Sequence, residues 1–154
     1  MILVLCNDDP NLWASAQGQA GPLFGQAYQF IGNGTTLLGV NENLYIAAHG
    51  LPGEIGNMNG ALGYSALDVW NYLNNTIPNG RGASIFPHNY SGNIYIWACY
   101  PANITRRDRL SFIDNFHAFS RPWLRNTNIY GALGAVPYTI PAPGDSSWTQ
   151  VANT

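Results

Sequence analysis

A chain of 154 residues, 46% hydrophobic, is long enough for one domain with a sizeable core. Only 9% is charged, well below the usual quarter, and a net charge of −2 gives no electrostatic reason to expect nucleic acid or an anionic membrane as a partner. No apolar run approaches the ~18 residues of a membrane span. The six basic residues are all arginine, so the chain offers no lysine for modification. Cys6 and Cys99 are fewer thiols than a disulfide-stapled secreted domain uses, and both are expected to stay reduced. The apolar start, Met1 to Cys6, lacks a basic flank and is too short for a signal peptide, which implies a protein made in the cytoplasm.

Ile2-Leu3-Val4-Leu5 predicts a central strand that stops at Asn7-Asp8-Asp9-Pro10, since proline cannot continue a central strand. Leu23, Phe24, Ala27, Tyr28 and Ile31 fall at helical spacing behind Pro22, predicting a helix from about Pro22 to Phe30 that Gly32-Asn33-Gly34 ends. Thr35 to Val40 reads as a short edge strand. Asn43 to Ala48 is a second buried strand, ending at His49-Gly50, and the glycine-rich stretch from Leu51 to Gly63 reads as a loop. Ser65-Ala66-Leu67-Asp68 is a capping box. Behind it, Leu67, Trp70, Leu73 and Ile77 form the apolar stripe of a helix from about Ala66 to Asn75, closed by Pro78-Asn79-Gly80. Asn93 to Ala98 is a third buried strand, ending at Cys99. Thr105-Arg106-Arg107-Asp108 is another capping box, opening a helix from about Arg106 to Phe119 with Leu110, Ile113, Phe116 and Phe119 on its buried face. Asn128 to Leu133 is the last strand, and the tail from Val136 reads as loop. This alternation predicts an α/β domain: a mostly parallel sheet with helices on both faces, joined by right-handed crossovers.

Chemistry concentrates at two strand ends. In open α/β sheets working groups sit beyond the carboxyl ends of the strands, and His49 and Cys99 stand at two such ends. A thiol attacks a carbonyl as the thiolate or with a base beside it, and an imidazole serves as that base and later protonates a leaving amine. The amides of Gly50 and Cys99 are available there for an oxyanion. Asp8 or Asn7, past the first strand, are candidates to orient the imidazole, with turn formation as their alternative role. Cys6 reads as a core thiol. Trp97 either lines a substrate pocket or packs under the sheet. Two distant cysteines argue against a structural zinc site, and no cofactor motif is present: the glycines near residue 56 precede no phosphate-loop lysine, and Gly63-Tyr64-Ser65 lacks the second glycine of a hydrolase elbow.

An apolar strand ending in His49-Gly50, followed about fifty positions later by an apolar strand ending in Ala98-Cys99, resembles the caspase-like (clan CD) cysteine peptidases. The resemblance implies a caspase-haemoglobinase-like fold, His49 as acid/base, Cys99 as nucleophile, and Gly50 as an oxyanion donor. It implies a peptide or protein substrate and no cofactor. The chain departs from the caspase signature, which has Gln-Ala-Cys, then Arg or a similar residue, then Gly: here stands Trp97-Ala98-Cys99-Tyr100-Pro101. Trp97 can play neither the part of that glutamine nor that of the metacaspase aspartate, so preference for Asp or for basic residues does not carry over. There is also no linker between a large and a small subunit. The expectation is a cysteine endopeptidase working through a His-Cys dyad and an acyl-enzyme, with export as a toxin or effector one setting for it. The alternatives are a catalytically inactive binding or regulatory module of the same fold and a cysteine transpeptidase or amidase.

Overall fold

The computed structural model describes residues 1–29, 35–51, 53–60, 62–75, 82–99, 106–132 and 137–151, with Cys99 and residues 106–111 described by their backbone. Along the chain come β1 (Ile2–Val4), α1 (Pro10–Gln19), β2 (Ala27–Gln29), β3 (Leu44–Leu51), β4 (Glu54–Gly56), β5 (Gly63–Ser65), α2 (Ala66–Leu73), β6 (Ile94–Cys99), α3 (Arg106–Ser120), β7 (Ile129–Ala132) and β8 (Trp148–Gln150). The strands form one sheet in the order β2-β1-β3-β6-β7-β8. The first five of these run parallel, and β8 is antiparallel to β7. The protein is thus α/β with a mostly parallel sheet.

Strand alternation sorts the apolar residues into two layers. Ile2, Val4, Tyr45, Ala47, Tyr95 and Trp97 pack with Leu12 and Ala16 of α1. Leu3, Leu44, Ile46, Ile94 and Ile96 pack on the other face with Val69, Trp70 and Leu73 of α2 and Phe112, Ile113 and Phe116 of α3. Both faces are covered, which is why β3 and β6 read as continuous apolar runs. Tyr45, Tyr95 and Tyr130 are register partners on β3, β6 and β7, and their rings stack at 4.9 and 4.7 Å. Trp148 of β8 closes on Tyr95 and Trp97 at 4.9 and 5.2 Å. A one-residue slip would turn this ladder to the opposite face, so it fixes the register of the central strands.

The capping box at Ser65 is present: its hydroxyl accepts from the Asp68 amide at 3.2 Å, and the Asp68 carboxylate accepts from the Ser65 amide at 3.0 Å. In α2 the buried stripe is Ala66, Val69, Trp70 and Leu73, and Leu67 faces out, 44% exposed.

Several expectations are corrected. The first helix starts at Pro10, which takes the first helical turn behind an Asp9 cap, and not at Pro22. Residues 27–29, expected in that helix, are strand β2, held by pairing with β1. Residues 35–40 form no strand. The stretch after His49 is a hairpin, β4–β5, whose first strand pairs with the end of β3. At Gly56 in this hairpin an added Cβ would collide with the Leu62 carbonyl, so the close approach needs a glycine. Phe119, expected on the buried face of α3, is 38% exposed, while Phe112 takes a place in the core beside Ile113 and Phe116. Part of the tail is β8. The expected helix stops at Gly32–Gly34 and Pro78–Gly80, the Phe30 and Ile31 end of the first expected helix, Ile77, Thr105 and Leu133 lie outside the described residues. Among the described residues, no helix is long and apolar enough to cross a membrane.

Tyr95 is 3% exposed and touches the rings of Tyr45, Tyr130 and Trp148. Tyr95→Ala should lower unfolding stability by about 3–5 kcal/mol, measured by urea denaturation with the slope of the transition compared to wild type.

Candidate functional site

The site is built where β1, β3 and β6 reach their carboxyl ends. His49 and Cys99 are register partners on adjacent parallel strands, whose backbones lie about 4.8 Å apart. The Tyr45–Tyr95 pair lies four residues earlier on the same two strands, so the aromatic ladder also sets this juxtaposition. β3 does not stop at His49, as the sequence suggested. It continues to Leu51, because β4 takes up the edge that β1 vacates: His49 pairs with Gly56 on that side and with Cys99 on the other. Gly50 is therefore not beyond a strand end. It is buried inside β3, opposite Ile55. β6 is described as far as Cys99, the register partner of His49.

The imidazole is held from the end of β1. His49 Nε2 lies 2.7 Å from Asp9 Oδ2, with His49 9% and Asp9 4% exposed. The carboxylate is the acceptor, so Nε2 carries the proton and Nδ1 is the basic nitrogen of the neutral ring. Asp9 Oδ2 also accepts from the Tyr138 hydroxyl at 2.8 Å, and Oδ1 accepts from the amides of Asn11 and Leu12 at 3.0 and 3.3 Å. One carboxylate thus caps α1 and anchors the histidine. Burial works to raise its proton affinity, but the donors from Tyr138, His49 and the Leu12 amide outweigh it and hold the carboxyl below the ordinary range.

Asp9 is the residue that the sequence reading passed over in favour of its neighbours. The signal for it was the Asp9-Pro10 pair, a cap followed by a first-turn proline. Asp8 instead accepts from the amides of Met58 and Asn59 at 2.8 and 2.9 Å. Burial acts against its ionisation, but these two amides hold its carboxyl below the usual range. Asn7 exchanges two hydrogen bonds with Asn57, at 3.0 and 2.6 Å. Together Asn7 and Asp8 clamp the β4–β5 turn beside His49, and neither is its hydrogen-bonded partner.

Trp97 is 2% exposed, packs on Trp148, and donates its indole N–H to the Pro137 carbonyl at 2.9 Å. It is a core residue, which corrects its candidacy as a substrate-pocket wall. Cys6 is fully buried, as expected, and donates its S–H to Asp8 at 3.1 Å. β3 lies between Cys6 and the strand of Cys99, a separation of about two strand spacings that exceeds the ~7 Å reach of a disulfide. Among the described residues no group of three His, Cys, Asp or Glu side chains is arranged to hold a metal ion.

No protein-family model, curated protein or solved structure matches this chain.

Two outcomes follow from this electrostatic arrangement. Asp9 is a stronger acid folded than unfolded, so its contribution to stability is complete above about pH 4 and is lost as the pH falls through the lower folded value. The stability gap between wild type and Asp9→Asn, read by denaturant titration, should be wide at neutral pH and narrow progressively below about pH 4. A gap that stays constant to pH 2 would mean that Asp9 is not an ionised acceptor.

Burial and the bond to Asp8 push the Cys6 thiol up to about 11, so at pH 8 about one molecule in a thousand carries the thiolate. Folded Cys99→Ala protein should therefore remain unalkylated by iodoacetamide at pH 8 over a period that fully modifies it in urea, as read by intact mass.

Proposed function

We propose that this protein is a cysteine endopeptidase of caspase-haemoglobinase-like architecture. The observation that carries this reading is the pairing of His49 with Cys99 across two parallel strands at the carboxyl edge of the sheet, with the imidazole anchored by a buried carboxylate. The resemblance in strand-end residues to clan CD peptidases supports it. In the proposed reaction His49 Nδ1 takes the thiol proton of Cys99. The thiolate then adds to the scissile carbonyl carbon. The oxyanion needs hydrogen-bond donors at this edge; Gly50, which the resemblance put in that role, is enclosed within β3 opposite Ile55 and is not one of them. Collapse breaks the C–N bond, and the proton held on Nδ1 goes to the departing amine, leaving a thioester on Cys99. Water, giving one proton to Nδ1, adds to the thioester. Expulsion of the thiolate, reprotonated from the imidazolium, releases the acid and restores the thiol. Asp9 keeps Nε2–H in place and stabilises the imidazolium, the part played by the third member of a triad.

The same dyad could pass the acyl group to an amine instead of water, giving a transpeptidase, and without turnover the fold would be a binding module. A mixed peptide library separates these readings. Wild type should generate new peptide termini, Cys99→Ala should generate none, and His49→Ala should be slower by about 10²–10⁴-fold. Ligated products would make the protein a transpeptidase. Equal cleavage by wild type and Cys99→Ala would remove Cys99 from the chemistry.

A further inference from the structure

The hydrogen bond from Tyr138 to Asp9 has no part in a plain His-Cys dyad, and it comes from an unexpected place. Tyr138 lies in residues 137–140, a segment without regular structure, yet the segment is tied down along its length. The Trp97 indole donates to the Pro137 carbonyl at 2.9 Å. The Ser15 hydroxyl donates to the Tyr138 carbonyl at 3.0 Å. The Gln19 side-chain amide donates to the Ile140 carbonyl at 2.9 Å, and its oxygen accepts from the Ile140 amide at 2.7 Å. Ile140 itself is buried in the α1-side core. The segment is a strap across α1, fastened at both ends and in the middle. The Tyr138 ring remains 38% exposed while its hydroxyl reaches a carboxylate that is 4% exposed.

We infer that Tyr138 is a positioning residue for His49, acting through Asp9. The geometry gives it two effects. Asp9 Oδ2 serves both Tyr138 and His49, so the phenol, together with the two α1 amides on Oδ1, fixes the rotation of the carboxylate and with it the direction in which Nε2–H must point. The phenol also adds a donor to those of the Asn11 and Leu12 amides, which opposes transfer of the Nε2 proton to Asp9 and keeps the basic lone pair on Nδ1. The fastening of the strap to Ser15 and Gln19 makes this alignment depend on α1 being folded against the sheet. The catalytic consequence rests on the reading of His49 as acid/base, whereas the alignment of the ring does not.

Tyr138→Phe removes one oxygen from a half-exposed ring and leaves the strap's other bonds in place. By ¹⁵N NMR of the imidazole, wild type should show His49 as a single Nε2–H tautomer with a slowly exchanging ring proton. Tyr138→Phe should show mixed tautomers and a ring proton exchanging at least tenfold faster. Against a peptide that wild type cleaves, kcat should fall about 10–100-fold with KM nearly unchanged. Ser15→Ala, which loosens the strap without touching the carboxylate, should shift the same NMR signals in the same direction by less. Unchanged tautomer and exchange in Tyr138→Phe would overturn the inference, whatever the activity. The altered NMR signature in a protein that cleaves no peptide would sustain it and defeat the peptidase reading instead.

Discussion

The Asp9 carboxylate is the interaction on which the site depends. It accepts four hydrogen bonds, from two amides of α1, the His49 imidazole and the Tyr138 phenol. A buried carboxylate short of donors is costly, and losing one partner leaves the desolvation penalty of the rest in place. These four contacts are therefore not independent. α1 buries only Leu12 and Ala16 and holds no charged residue in either end turn to complement its dipole. A ten-residue helix of that kind is marginal without tertiary help, and the cap adds about 1 kcal/mol to it. The bonds that start the helix and those that aim the histidine share one side chain, so the fold and the site are secured together.

The second constraint is register. His49 faces Cys99 because Tyr45 faces Tyr95 four residues earlier, and Tyr95 in turn faces Tyr130. Stacked rings at these separations pin three strands at once, and the Trp148 ring braces the ladder from β8. Parallel pairing at β1, β3, β6 and β7 brings distant segments together, and only long-range packing can specify it. The aromatic ladder supplies that packing on the α1 face, and the aliphatic layer of Ile46, Ile94 and Ile96 supplies it on the other.

The parts legible in the sequence are those whose signal is local. β1, β3, β6 and β7 are dense in apolar residues because they are covered on both faces. α2 and α3 carry an amphipathic pattern, and α2 a complete capping box. The elements that escaped are short strands that exist because of their neighbours: Ala27–Gln29, Glu54–Gly56, Gly63–Ser65 and Trp148–Gln150 have three residues each. Nothing in three residues announces a strand, and pairing supplies the energy. α1 escaped for a related reason, since its two buried residues make too narrow a stripe to see. At the site, the apolar runs that end in His49 and Cys99 were legible, and the structure makes these two residues register partners. Asp8 and Asp9 differ in the sequence only by the proline that follows Asp9, which marks a helix cap; that the capping carboxylate also reaches His49, while Asp8 goes to the hairpin, is set by the path of the backbone out of β1.

The position of Trp97 bears on what the site can select. On the proposed peptidase reading, the position two before Cys99 is where a pocket for a substrate side chain would be expected. Here that position is filled by an indole packed on Trp148, its N–H bonded to Pro137. Withdrawing it to open a pocket would forfeit that packing and leave a large cavity, a cost of about 3–5 kcal/mol by analogy with deleting a buried Trp. The indole is therefore structural ballast beneath the His49–Cys99 row, and it also anchors the strap that bears Tyr138. On the peptidase reading proposed above, Trp97 belongs to the support beneath His49 and is withdrawn from any substrate, so selectivity would have to come from other groups at this edge of the sheet.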